Sequence, residues 1–106
     1  MKVVYTENSR ASLRELIRFL IEDQGLEEEK VDSIVAELLD NADDLGMYPQ
    51  KGQIEEYLEH LGLGHRRIVV SHCKVIYRIE KDTVFVTDFF DTRQSPKKMK
   101  RRARKA

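Results

Sequence analysis

The 106-residue sequence lacks most of the residues that small disulfide-bonded or metal-binding domains require. Cys73 is its single cysteine, so no internal disulfide can form, and the chain suits a reducing compartment. Its three histidines are scattered and match no metal-ligand spacing. No apolar run approaches the length that spans a membrane. These absences predict a cytoplasmic protein that has no metal site and no membrane contact.

The chain is also short, and its amino terminus has no targeting pattern. A chain of 106 residues forms one domain with a single core. We expect little room for a deep cofactor cavity, and therefore no cofactor. The first nine residues, MKVVYTENS, lack the long apolar core of a secretory signal.

Charge is abundant and unevenly distributed. The formal net charge of the whole chain is zero, from 19 Lys and Arg against 19 Asp and Glu. Residues 1–64 hold 6 of the basic and 15 of the acidic residues, whereas residues 65–106 hold 13 and 4, so the two parts carry net charges of −9 and +9. A strongly basic carboxy-terminal part favours an anionic partner, such as nucleic acid, a ribonucleoprotein or an acidic protein.

The amino-terminal part predicts a strand and then a helix. Residues 2–6, KVVYT, are rich in strand-forming side chains. Apolar residues then recur at helical spacing, which predicts an amphipathic helix. Ser12 and Glu15 resemble a capping box for this helix, although Asn8 or Ser9 could also cap it.

A second amphipathic helix is predicted over residues 27–45. Gly25 ends the first helix, and Gly46 and Pro49 follow the second. The connection is very short, so the two helices form an antiparallel hairpin. Residues 50–64 fit either a helical turn or an irregular strand, and this choice stays open.

The carboxy-terminal part predicts three short strands over residues 66–71, 74–80 and 83–90. Their close spacing makes them a three-stranded antiparallel meander. The predicted fold is therefore α+β in two layers, with an amino-terminal strand, a helical hairpin and the meander.

The last strand is apolar on both faces. Simple alternation puts Val84 and Val86 on one face, and Phe85 and Phe89 on the other. We expect such a strand to be central in its sheet, or to be covered by a partner on the face that the two helices leave open.

The stretch from His65 to Met99 resembles the carboxy-terminal half of the RelE/ParE toxin superfamily of bacterial type II toxin–antitoxin pairs. In that family an arginine opens the second strand, as Arg66 or Arg67 does here, and an aromatic residue lies in the third, as Tyr77 does. The fourth strand runs into an arginine-bearing segment, as FFDTRQSP does with Arg93. The resemblance implies one toxin domain over residues 1–96. The basic composition of residues 97–106 predicts a flexible tail, which could also bind phosphate backbones non-specifically.

The resemblance also implies growth inhibition that a cognate antitoxin neutralises within a hetero-oligomer. ParE-like members inhibit DNA gyrase without a catalytic site, whereas RelE-like members cleave messenger RNA on the ribosome. The long second helix fits the ParE-like branch better, so a non-enzymatic gyrase inhibitor is our first interpretation. A ribosome-dependent mRNA endonuclease and a non-catalytic nucleic-acid-binding module are the alternatives.

Metal-free RNA cleavage would need a base, an acid and cations around one phosphate. Arg67 and Arg93 could supply the cations, and His72 and Tyr77 could transfer protons. The RelE-like pattern has a His or Tyr near the end of the last strand, where this chain has Asp91. Neighbouring arginines would lower the pKa of that carboxyl, so it is a poor base.

The residues expected to contact the target or the antitoxin are basic, or lie beside the end of the last strand. Arg93 is expected at an exposed end, so that its loss would leave the fold intact. The expected contact residues are Arg66, Arg67, Arg78, Phe90, Asp91, Arg93, Lys97 and Lys98.

Overall fold

The computed structural model describes residues 1–105 and has an α+β fold built on one five-stranded sheet. The predicted fold class is therefore confirmed. Short 3-10 segments, Asp44–Gly46 and Glu56–Leu61, lie on either side of β2. The elements in chain order are β1 (Lys2–Tyr5), α1 (Glu7–Glu22), α2 (Glu28–Asp43), β2 (Gln53–Ile54), β3 (Arg66–Val70), β4 (Cys73–Glu80), β5 (Thr83–Asp91) and α3 (Pro96–Lys105).

The strand order in the sheet is β1-β5-β4-β3-β2. Strands β3, β4 and β5 form the predicted antiparallel meander, and β1 lies parallel to β5 at one edge. At the other edge, β2 pairs antiparallel with β3 through Gln53 and Ile54. Residues 50–64 therefore contain both structures that the sequence left open, a short strand and a helical turn.

The first helix begins earlier than the capping box at Ser12 predicts. Thr6 is the N-cap, and its hydroxyl accepts a hydrogen bond of 3.1 Å from the backbone N–H of Ser9. Ser12 is buried in the middle of the helix, and its hydroxyl donates to the carbonyl of Ser9. The predicted Ser12–Glu15 capping box is therefore wrong, because Ser12 lies inside the helix and has a tertiary role instead.

That tertiary role is to complete the edge of β5 beyond the end of β1. The backbone N–H of Phe89 donates to the hydroxyl of Ser12 at 2.9 Å. One helical turn earlier, the amide of Asn8 donates to the carbonyl of Thr87 at 3.2 Å. Two side chains of α1 thus satisfy backbone groups that a neighbouring strand would otherwise bond.

A β-bulge in β5 changes which side chains face the helices. Tyr77 pairs with Val86 and Ile76 pairs with Asp88, so Thr87 is an extra residue without a partner in β4. The alternation shifts by one after this point, and Phe89 lies in the same buried cluster as Val84. The prediction that Phe89 faces away from Val84 and Val86 is therefore wrong.

The main core lies between this face of the sheet and the helical hairpin. Gly25, with φ of +63°, follows α1 and allows the chain to turn directly into α2. The largest fully buried side chains of this core are Leu20, Leu38, Leu45, Val75, Tyr77, Val84, Val86 and Phe89.

The opposite face of the sheet carries α3 in place of the predicted flexible tail. Met99 is 0 % exposed and packs with Leu58, Ile76 and Phe90 in a second buried cluster. The hydroxyl of Ser95 accepts from the backbone N–H of Lys97 at 3.3 Å, and Pro96 is the first helical residue. A basic segment is therefore ordered, because it has an N-terminal cap and an apolar anchor. Ala106 lies outside the described residues.

Candidate functional site

Tyr77, one of the predicted proton-transfer residues, is a buried structural group. Its side chain is 0 % exposed on the hairpin side of the sheet. Its hydroxyl donates to the carbonyl of Pro49 at 2.8 Å and accepts from the backbone N–H of Gly52 at 2.9 Å. Burial raises the pKa of this phenol, although the Gly52 hydrogen bond opposes that effect. Tyr77 therefore holds residues 49–52 against the sheet.

The two arginines that open β3 bond the same connecting segment. The Nη1 of Arg66 donates to the carbonyl of Gly52 at 2.7 Å. Arg67 donates to the carbonyl of Ile54 and, at 3.3 Å, to the Oε1 of Gln53. A side chain at Gly52 would collide with Tyr77 and Arg67, since a Cβ there would lie 2.6 Å from atoms of both. The region around β2 is thus tightly packed.

Arg93 forms a hydrogen-bonded ion pair with the buried carboxylate of Asp91. Asp91 is 1 % exposed, and the Nε and Nη2 of Arg93 reach its two oxygens at 2.9 and 2.7 Å. The backbone N–H of Arg93 also donates to Asp91. The Nη1 of Arg93 reaches Gln24 at 2.7 Å, and its guanidinium lies over the ring of Phe19. Each of the three guanidinium nitrogens therefore donates to another side chain of the protein.

The pKa of Asp91 follows from this environment. Burial alone would raise it, but the hydrogen bonds and charge of Arg93 outweigh burial and lower it below its ordinary value. The carboxylate therefore stays ionised and is a poor general base, as the sequence predicts. The pair ties the end of β5 to the end of α1.

His72 lies in the turn between β3 and β4, with an exposed side chain. Its carbonyl accepts from the backbone N–H and the hydroxyl of Thr92, at 2.8 and 2.9 Å. His72 and Arg93 are thus at one end of the sheet. Tyr77 lies four residues along β4 from Cys73, about 13 Å at ~3.3 Å per residue. Arg67 pairs with Ile76, so it lies nearer to Tyr77 than to His72. The four candidate nuclease residues do not meet at one site.

Sequence reasoning missed a polar group on the sheet face opposite the hairpin. The Nζ of Lys74 lies 2.7 Å from Glu55, which is 1 % exposed. The ammonium groups of Lys74 and Lys100 lie over the ring of Tyr57, at 5.2 and 5.7 Å from its centre. The alternation of β4 puts Lys74 on this face, but no pattern in the sequence pairs it with Glu55.

A second missed group fastens α3 to the rest of the molecule. The Nη1 of Arg102 lies 2.8 Å from Asp88, which is 4 % exposed, and its Nη2 reaches Glu15 on α1. Lys98 lies 3.7 Å from Glu15. Burial raises the pKa of Asp88 despite the charge of Arg102. These pairs fix the orientation of α3 on the sheet.

The structure changes the set of expected contact residues. Phe90 is 2 % exposed beneath α3 and Asp91 is buried, so neither presents a surface to a partner in this conformation. Arg78 pairs with Glu80 at 3.0 Å near the surface. Lys97 is exposed.

No group of three His, Cys, Asp or Glu within residues 1–105 is arranged to hold a metal ion. The helices described here are all too short or too polar to cross a membrane.

A comparison with models of known protein families matches residues 3–96 to the ParE toxin of the type II toxin–antitoxin system parDE. The match runs from β1 to Pro96, the first residue of α3. A comparison with curated proteins gave no match.

Proposed function

The chain belongs to the ParE toxin family of type II toxin–antitoxin systems, and from this premise we propose that it inhibits growth by binding DNA gyrase. A cognate antitoxin would neutralise it in a toxin–antitoxin hetero-oligomer. Gyrase acts on the bacterial chromosome, so the proposal implies a cytoplasmic protein.

The dispersal of the candidate nuclease residues is the observation that favours binding over RNA cleavage. Cleavage requires a base, an acid and a cation around one phosphate. The hydroxyl of Tyr77 is buried and fully bonded, and Arg93 is engaged by Asp91 and Gln24. His72 is in the turn before β4, and Tyr77 lies in the middle of that strand.

One observation favours the alternative, a ribosome-dependent mRNA endonuclease. Glu55, Lys74 and Tyr57 bring a carboxylate, a cation and a phenol together on one face of the sheet. Both oxygens of Glu55 already accept hydrogen bonds, one from Lys74 and one from the backbone N–H of Tyr57. A general base must accept a proton, and both oxygens of Glu55 already accept hydrogen bonds from the protein. We therefore rank this function second.

The apolar side chains of β5 offer an antitoxin less surface than the sequence suggests. Val84, Val86 and Phe89 are covered by the chain's own helices, so they offer no apolar surface to a partner. The charge argument still stands, because residues 65–106 carry a net +9. We propose that an acidic antitoxin segment pairs with exposed cations of this part.

Two assays on the purified protein separate the two activities. We expect inhibition of DNA supercoiling by gyrase, and no cleavage of mRNA on programmed ribosomes as followed by primer extension. Codon-phased cuts made by the wild type, and lost in Lys74→Met and Glu55→Gln, would establish the nuclease instead. Glu80→Gln, which changes an exposed partner of Arg78, is the matched control for these variants.

A further inference from the structure

Helix α3 presents one side to the protein and an opposite side that is basic. Met99, Arg102 and Ala103 face the sheet and α1. On the other side, four cations occur at i, i+3, i+4 and i+7, which is a single stripe about 10 Å long at ~1.5 Å per residue. They line an open cleft of about 390 Å³. This α3 basic face consists of Lys97, Lys100, Arg101 and Arg104.

No residue that the structure describes neutralises the α3 basic face. Among the residues that the structure describes, only Lys98 and Arg102 of α3 form ion pairs. Lys98 pairs with Glu15, and Arg102 pairs with Glu15 and Asp88. No described carboxylate lies within 4.0 Å of the charged nitrogens of the α3 basic face. Four like charges on one stripe repel each other, and an external polyanion would relieve that repulsion.

The stripe is also held rigidly. Met99 is 0 % exposed beneath α3, and Arg102 bonds both Asp88 on β5 and Glu15 on α1. A partner that binds the α3 basic face does not have to order the helix first, which lowers the entropic cost of association.

We propose that the α3 basic face binds the phosphate backbone of duplex DNA. Phosphate contacts need cations but no apolar anchor, and the α3 basic face contains no aromatic or aliphatic residue. An acidic protein segment can also pair with these cations, but a stable protein interface needs an apolar core as well, and the α3 basic face does not supply one. This contact is an addition to gyrase inhibition, and only the choice of DNA over other polyanions rests on the proposed function.

Single-stranded nucleic acid fits this face less well. Its binding relies on bases stacking on exposed aromatic rings. Tyr57 is the exposed aromatic side chain beside α3, and the ammonium groups of Lys74 and Lys100 already lie over its ring. Duplex DNA offers one charge per about 1.7 Å of its axis and requires no stacking.

The salt dependence of binding gives a quantitative expectation. Four neutralised phosphates give a slope of log affinity against log salt concentration of about −3.6. Affinity should then fall about 150-fold between 50 and 200 mM salt.

The test is fluorescence anisotropy with a labelled 20-base-pair duplex and the full chain, without gyrase. We compare the wild type with a variant carrying K97Q, K100Q, R101Q and R104Q. The matched control, R10Q, R14Q, R18Q and K30Q, removes four exposed cations from α1 and α2. We expect the α3 variant to lose most of the salt slope and at least 50-fold in affinity at 50 mM salt, and the control to change less than three-fold.

A smaller variant keeps the test decisive if the four-fold change disturbs folding. K97Q with R104Q alters only exposed positions and should halve the salt slope. Equal losses in the α3 variant and the control would overturn the proposal. So would tighter binding of single-stranded RNA or polyglutamate than of the duplex. The assay contains no gyrase, so a failed gyrase assay beside intact DNA binding would overturn the proposed function alone.

Discussion

At the scale of single residues, the Asp91–Arg93 ion pair joins a buried carboxylate to a partly exposed arginine. A buried carboxylate is costly unless it is paired and hydrogen-bonded. Arg93 meets that requirement with its planar guanidinium and its backbone N–H. The expectation that Arg93 is free at an exposed end, and dispensable to the fold, therefore does not agree with its contacts.

Arg93→Ala should destabilise the protein by about 2–3 kcal/mol, because it leaves Asp91 buried and unpaired. The figure is below that of a fully buried pair, since the Arg93 side chain is 36 % exposed. Urea unfolding measures it. Arg78→Ala, which breaks the more exposed pair with Glu80, is the control and should cost at most about 1 kcal/mol. Equal costs for the two variants would contradict this account.

The same pair makes stability depend on pH. The folded-state pKa of Asp91 is lowered, so its contribution to stability is present above the unfolded value of 3.8. That contribution is lost as pH falls through the folded pKa. The raised pKa of Asp88 acts in the opposite direction, so a comparison with a variant is needed.

In Arg93→Ala, burial raises the pKa of Asp91 and no arginine opposes it, so the variant's carboxyl binds a proton at a higher pH than the wild type's does. We therefore expect the difference in unfolding free energy between wild type and Arg93→Ala to be largest near neutral pH, and to begin to shrink while the pH is still above 3.8. Urea denaturation at a series of pH values measures this difference. A difference that stays constant down to pH 2 would show that Asp91 is not the group involved.

At the scale of elements, each helix has a distinct relation to the sheet. Helix α1 is hydrogen-bonded to the backbone of β5, since Asn8 donates to the carbonyl of Thr87 and Ser12 accepts from the N–H of Phe89. Helix α2 contributes apolar side chains, of which Leu38 is 0 % exposed. Helix α3 combines an apolar anchor at Met99 with the ion pairs of Arg102.

Leu38→Ala should cost about 2–5 kcal/mol in stability, because it leaves a cavity in the main core. Glu37→Ala, at the adjacent exposed position, should cost less than about 0.5 kcal/mol. Chemical denaturation of both variants checks this difference. An unchanged midpoint for Leu38→Ala would mean that α2 does not pack on the sheet through this residue.

At the scale of the whole molecule, opposite charges join the two parts of the chain. Residues 1–64 carry a net −9 and residues 65–106 a net +9. Glu15 pairs with Arg102, and Glu55 pairs with Lys74, so each pair joins an acid of the first part to a base of the second. What remains unneutralised is concentrated at the surface, as on the α3 basic face.

A chain ending at Ser95 tests whether α3 belongs to the folded body. Removing α3 exposes Phe90 and Ile76 and leaves Asp88 without Arg102. We expect the Tm to fall by roughly 10 °C or more, from ~2–3 kcal/mol of lost stability. Binding of a hydrophobic dye should also increase. The same Tm and dye binding as the full chain would mean that α3 is only a peripheral tail.

The sequence by itself determined the α+β class, the helical hairpin, the three-stranded meander and the family. These follow from hydrophobic periodicity, glycine positions and short connections, which are local properties. It also predicted the lowered pKa of Asp91, because its partner Arg93 is two residues away. The Ser95–Pro96 cap and the Met99–Ala103 spacing could have predicted α3 as well.

Only the tertiary structure decided the features that depend on distant partners. The bulge at Thr87 reverses the alternation of β5, and the pattern of a single strand does not reveal an extra residue relative to its neighbour. Glu55 meets Lys74 across 19 residues, and Ser12 meets Phe89 across 77. Such contacts are set by strand register and by how helices pack on the sheet, which no local pattern encodes.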